Sequence, residues 1–191
     1  VLKRVLRKPV TWVLLALLAV LVGSGLYWFE PWRLVTNTTV NDAISAPTGA
    51  PSAAPAGAPT DAPTGAGPTT PAPNAGPVIL LRGTFITHEH DTTGEARVVR
   101  HPDGRRQLEL VNLDTSDGPD LRVWLSDQPV REGTAGWRVF DDGEWVEVGE
   151  LKGNRGNQVY QIPADADLTT LRSVTIWCKR FSVSFGAAAL S

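Results

Sequence analysis

The sequence has one cysteine, Cys178, and no methionine. A single thiol excludes an internal disulfide framework, a C-x-x-C redox pair, a C-x-x-C-H haem attachment and a multi-thiolate zinc site. It also excludes an N-terminal lipid-modified cysteine, because the sole candidate is at position 178. The missing methionine, with Val1 in first place, fits a GTG start codon read literally, as in a GC-rich bacterium. Histidine is scarce, at three residues, and no Ser/His/Asp or paired-carboxylate motif stands out, so an ordinary hydrolase is not expected. Excess positive charge is also missing where a nucleic-acid surface would need it. Residues 79–191 carry 13 basic and 17 acidic side chains, a net charge near −4 against −2 for the whole chain. A basic stripe is the footprint of nucleic-acid binding, and its absence argues against that class of partner.

The charge that is present is unevenly spread. Lys3, Arg4, Arg7 and Lys8 crowd the first eight residues, and Val10 to Phe29 is then a run of 20 uncharged residues. A helix of that length spans about 30 Å, the hydrocarbon thickness of a bilayer. Trp12 lies near one end and Tyr27, Trp28 and Trp32 near the other, where interfacial aromatics belong. The cations before the run predict a cytoplasmic N-terminus and an extracytoplasmic remainder. A cleaved secretory signal competes with this anchor reading, but its best small-residue site, Ala43-Ile44-Ser45, falls about 15 residues late. Both readings place the rest of the chain outside the cytoplasm, and Val10–Phe29 makes the membrane a partner.

From Ala46 to Pro77 the chain is almost wholly Ala, Pro, Thr, Gly and Ser, with Pro47, Pro51, Pro55, Pro59 and Pro63 four residues apart. Such a composition buries no core, and it predicts a disordered, extended linker that acts as a stalk between bilayer and domain. The expected organisation is a basic cytoplasmic tail over 1–9, a transmembrane helix over 10–29, and a folded domain over 79–191. Between helix and domain, residues 30–78 would form an extracytoplasmic juxtamembrane segment and linker.

The folded zone alternates in short runs. Candidate strands are Ile79 to Thr87, Glu95 to His101, Gln107 to Asn112, Leu121 to Ser126, Trp137 to Phe140, Trp145 to Val148, Gln158 to Ile162, Val174 to Cys178 and Phe181 to Phe185. Turn chemistry separates them, as in Pro102-Asp103-Gly104 and Asp142-Gly143. Eight or nine such strands predict an all-β sandwich or barrel-like domain. Trp124 and Trp177 are expected in its core, and Trp137 and Trp145 are expected to pair across the Asp142-Gly143 hairpin.

Cys178 lies in the most strand-like stretch, Ser173 to Gly186. Val174, Ile176 and Cys178 share one parity and Phe181, Val183 and Phe185 the other, so a bulge or tight bend is expected near Lys179 and Arg180. If water reaches the thiol, those two cations favour the reactive thiolate; if it is packed among apolar side chains it is an inert small hydrophobe. His88 and His90 are weak candidates for copper or zinc, since two residues on one strand share a face. Asp114, Asp117 and Asp120 lack calcium-loop spacing and read as turn formers. Lys152-Gly153-Asn154-Arg155-Gly156 has no helix after it and is a poor phosphate cradle.

The ordered segments R-G-T-F (82–85), H-D-T-T-G (90–94), G-P-D-L-R-V-W-L (118–125), V-G-E-L-K-G-N-R-G-N-Q-V-Y-Q-I-P (148–163) and S-V-T-I-W-C-K-R-F-S-V-S-F-G (173–186) resemble the DM thirteen domain family. The resemblance implies an electron-transfer or thiol-redox role with Cys178, in the family's W-C-K-x-F segment, as the redox group. The family accompanies haem-type DOMON domains in some animal proteins, and no DOMON-like stretch is present in this sequence. Arg131 to Glu144 is longer and richer in Trp than the family pattern. The resemblance therefore predicts a membrane-anchored redox domain with an unidentified redox partner. Haem or copper is possible as a cofactor, though no specific motif supports either. The competing expectation is a non-enzymatic module that binds or displays at the cell envelope, with Cys178 merely packed.

Overall fold

The computed structural model describes residues 9–45 and 76–191. A long helix, α1 (Pro9–Phe29), is followed by a 3-10 turn (Pro31–Val35) and nine strands. These are β1 (Thr39–Asn41), β2 (Val78–Thr87), β3 (Thr93–Arg100), β4 (Arg106–Asp114), β5 (Leu121–Ser126), β6 (Trp145–Glu150), β7 (Arg155–Ile162), β8 (Ser173–Cys178) and β9 (Val183–Ala189). Helix α1 is long and apolar enough to cross a bilayer, and none of its residues is buried in the protein. Unburied leucine and valine along a whole helix ask for a lipid or protein cover.

All nine strands form one sheet in the order β1-β7-β4-β3-β2-β9-β8-β5-β6, curled into a half-barrel. Neighbouring pairs are antiparallel except β1 with β7. The inner face collects Val98, Leu108, Leu110, Val123, Leu125, Ile176 and their neighbours into the main core. A second, smaller cluster of Trp124, Phe140, Trp177 and Ala187 lies apart from it.

Eight of the nine strands expected from alternation are present, with ends shifted by a few residues. The exception is Trp137 to Phe140, which follows a 3-10 turn (Gly133–Gly136) and forms turns in place of a strand. Its Phe140 is fully buried against Trp177, so the segment acts as a cover for the sheet. Accordingly Trp145 stacks on Trp124 and not on Trp137. The expected bend after Cys178 is a tight turn between β8 and β9, with Ser182 left-handed at φ 48°.

The ninth strand, β1, comes from the segment that follows α1. Its seat is the Gly153-to-Gly156 loop: Asn154 Oδ1 accepts from the Thr38 amide at 2.7 Å, and the Arg155 amide donates to the Thr38 carbonyl at 3.2 Å. Gly156 has φ 95°, and a Cβ there would lie 2.1 Å from the Val40 carbonyl oxygen. Only glycine satisfies both demands. Lys152 closes the strand from outside by pairing with Asp42 at 2.5 Å. Further on, the Ser45 amide donates to Oε1 of buried Glu109 at 2.7 Å.

Residues 46–75, where the disordered linker was expected, lie outside the described residues, but both flanks are attached to the domain. Ser45 is held on β4 and Val78 pairs with Arg100 on β3. The helix reaches the domain through residues 30–45, before the Ala/Pro-rich run begins. Arg180 Nη1 donates to the Trp28 carbonyl at 2.7 Å, and the Phe29 and Phe181 rings stack at 5.8 Å.

Gly156→Ala adds both strain and a clash, so it should unseat β1 at a cost of about 1–3 kcal/mol. Hydrogen exchange checks this. Amide protection at Thr39, Val40 and Asn41 should fall in the variant, while retained protection would refute the role given to the glycine.

Candidate functional site

Strand β8 is buried along its whole length. Its alternation sends Val174, Ile176 and Cys178 into the main core and Trp177 into the smaller aromatic cluster. Cys178 is 0% exposed, and it pairs with Leu121 on β5 and Val183 on β9. Burial pushes its thiol above the ordinary value of 9.0, and the Asp120 and Glu89 charges push the same way. Hydrogen bonds from the Phe181 and Arg180 main-chain amides oppose the rise. The Phe181 amide closes the tight turn on the Cys178 carbonyl at 3.3 Å, and the sealed sulfur stays protonated at neutral pH.

The two cations expected to favour thiolate are engaged elsewhere. Lys179 Nζ lies 3.5 Å from Glu147, and Arg180 pairs with Glu30 at 3.6 Å while holding the Trp28 carbonyl. Both side chains leave the turn outward, as charged groups do when the alternative is an apolar core.

His88 and His90 take different partners because residues 88–90 bend, and strand parity no longer applies. His88 is 5% exposed. Its Nε2 lies 3.0 Å from the Arg131 carbonyl and its Nδ1 lies 2.7 Å from Ser184 Oγ. A carbonyl only accepts, which places the ring proton on Nε2 and makes Ser184 the donor to Nδ1. Thr175 in turn reaches Ser184 Oγ at 2.8 Å. Desolvation lowers the His88 pKa below its usual 6.5, and the bond to Arg131 offsets part of the shift. His90 stacks on Phe185 at 3.9 Å and pairs with Glu89 at 2.9 Å. Among the described residues no three His, Cys, Asp or Glu side chains gather where a metal would need them. Asp114, Asp117 and Asp120 pair separately with Arg155, Arg33 and Arg122.

Sequence reasoning missed Ser184 and Thr175. They lie on the opposite parity from Val174, Ile176, Val183 and Phe185, and the covering segment that includes Phe140 makes them interior. The Ser184–His88 contact resembles a nucleophile with its base, but Ser184 is 0% exposed and no substrate reaches it. At the junction of α1 and the domain, Phe29, His90, Phe181 and Phe185 line a cavity of about 290 Å³. The turn that follows Cys178 therefore faces the end of α1.

The domain is a curled β-sheet with one sealed thiol, a buried His-Ser-Thr network and stacked indoles. Residues 84–190 match the family described as Electron transfer DM13, and the chain belongs to that family. No curated protein and no solved structure matches the chain.

Two predictions follow from the burial of these groups. Cys178 should react with iodoacetamide no faster than the protein unfolds, and Cys178→Ser should cost about 1 kcal/mol or more of stability in denaturant melts. Rapid native labelling would show that the sulfur is open to solvent. For His88, the unfolded chain binds a proton near pH 6.5 while the folded chain resists it. Stability should therefore be full above that pH and decline as pH falls from 6.5 towards the depressed folded value. His88→Gln should flatten that part of the pH profile, and an unchanged slope would assign it to other groups.

Proposed function

We propose that the chain is a single-pass membrane protein whose β domain sits on the extracytoplasmic side and passes single electrons through the neighbourhood of Cys178. The match of residues 84–190 to an electron-transfer family carries this reading. The charge layout supports the orientation, since Lys3, Arg4, Arg7 and Lys8 precede the apolar helix. The seat of β1 favours an anchor over a cleaved signal. Cleavage at Ala43-Ile44-Ser45 would remove β1 from the sheet together with its bonds to Asn154 and Arg155.

Burial narrows the chemistry. Thiol–disulfide exchange requires a thiolate that a second sulfur can approach, and Cys178 is sealed, protonated and without a partner in the chain. Transfer of one electron needs no such approach, so it is the form of redox chemistry that suits this site. The partner is then a separate electron carrier.

The same burial favours a second reading, in which the domain binds or displays at the cell envelope and Cys178 is a packing residue. Electrochemical titration of the full chain in detergent separates the two. The redox reading expects a wave that disappears in Cys178→Ser while the thermal melt stays cooperative. A wave unchanged by the substitution, or none in either protein, leaves the packing reading. External protease added to spheroplasts should digest the β domain, and full protection would reverse the orientation.

A further inference from the structure

Trp145, Trp124 and Trp177 come from three adjacent strands, and the register brings them together. Trp145 pairs with Ser126, two residues beyond Trp124 on β5; Trp177 pairs with Arg122, two residues before it. With a side-chain period of two, all three indoles stand on one face and meet as diagonal neighbours. The rings of Trp145 and Trp124 stack at 3.9 Å and 6°, and those of Trp124 and Trp177 at 5.1 Å and 26°. Trp145 is 41% exposed, Trp124 3% and Trp177 1%, so the staircase runs from solvent to interior. Its inner end is one peptide bond from Cys178.

Stacked rings need only part of this arrangement for packing. Two further features do not follow from packing. Trp124 Nε1 donates to Glu147 Oε2 at 3.2 Å, which gives the central indole a carboxylate base for its proton. The outer end opens on a cavity of about 540 Å³, where Trp145 shares the wall with Glu144, Asp165 and Asp167 and with no basic side chain.

We infer that Trp145, Trp124 and Trp177 form an indole relay that carries one electron between the acidic cavity at Trp145 and the sheet interior beside Cys178. This inference rests on the electron-transfer reading. The partner it fits is a cationic one-electron oxidant, drawn to the cavity by its negative charge. The oxidant gains one electron from Trp145. Trp124 refills Trp145 with an electron and passes its Nε1 proton to Glu147, leaving a neutral indolyl radical and a protonated carboxyl. Trp177 then gives one electron to the Trp124 radical, which takes its proton back from Glu147, and the hole rests on Trp177 as a cation radical. The path is short, with successive ring centroids 3.9 Å and 5.1 Å apart. It leads from the acidic cavity to Trp177, the residue before Cys178 and the turn that meets α1.

The test uses the full chain in detergent, with Trp12, Trp28 and Trp32 replaced by phenylalanine so that their indoles do not contribute. Flash-generated tris(bipyridyl)ruthenium(III) is the cationic oxidant, and the indolyl radical is followed by transient absorption. Trp145→Phe keeps the packing but is not oxidised by this reagent, so the radical yield should fall several-fold with the melt unchanged; Trp145→Leu should do the same. Glu147→Gln should turn the neutral radical into the protonated cation radical, which has a different spectrum. An undiminished yield in both Trp145 variants, or an identical spectrum in Glu147→Gln, overturns the relay. Cys178→Ser distinguishes this inference from the reading beneath it. A longer-lived indolyl radical would mean that sulfur fills the hole and would support both; an unchanged lifetime with the relay intact would overturn the thiol role alone.

Discussion

Strand β8 is covered on both faces, and that double cover decides what each of its residues can do. One face meets the main core through Val174, Ile176 and Cys178. The other meets Trp124 and Phe140 through Trp177, and meets Ser184 through Thr175. A tryptophan so enclosed contributes about 3–5 kcal/mol relative to alanine. It therefore holds the covering segment in place as much as the strand. Without that segment Thr175 and Ser184 would be ordinary solvent-facing residues. With it they must bond one another, and His88 completes the set by bonding both Ser184 and the Arg131 carbonyl of the cover itself.

The contact between the helix and the sheet rests on a different constraint, the two glycines at the edge of β7. Gly153 and Gly156 let the backbone of residues 38–40 approach more closely than any side chain would allow. The bonds from Asn154, Lys152 and Glu109 then fix the incoming chain from Thr38 to Ser45. With Arg180 and Phe181 holding Trp28 and Phe29, the chain from the end of α1 to Ser45 meets the domain at two places. These two contacts join residues 28–45 to the sheet.

Most of the sheet was legible because alternation and turn residues recur in it, and both have local causes. Leu121 to Ser126 could be read to the residue, since each neighbour of an inward side chain there is polar or faces a second apolar layer. Strand β1 could not be read. Thr39-Val40-Asn41 is too short to show a period, and what recruits it is a glycine loop more than a hundred residues away. Trp137 to Phe140 misled for the opposite reason, since its apolar residues cover a face and have no strand partner. The two histidines misled because parity was assumed across a bend. For the thiol, the neighbouring cations were legible but their direction was not, and direction decides whether charge two bonds away acts on the sulfur or on Glu147 and Glu30.

The location of Cys178 then bears on what kind of redox work suits this domain. Moving atoms to a sealed sulfur requires opening the turn of residues 179–182, which is bonded to the end of α1 and closed by the Phe29–Phe181 stack. Opening it would also expose Leu121 and Val183 to water. On the proposed reading an electron has no such requirement, because the rings it would cross are already in contact. The features that make the thiol a poor nucleophile are burial and acidic neighbours, and neither blocks contact between the rings beside it. On physical grounds, packing that excludes water and a role in electron transfer are compatible at this residue, and the first is the condition under which the second avoids side reactions with solvent oxidants.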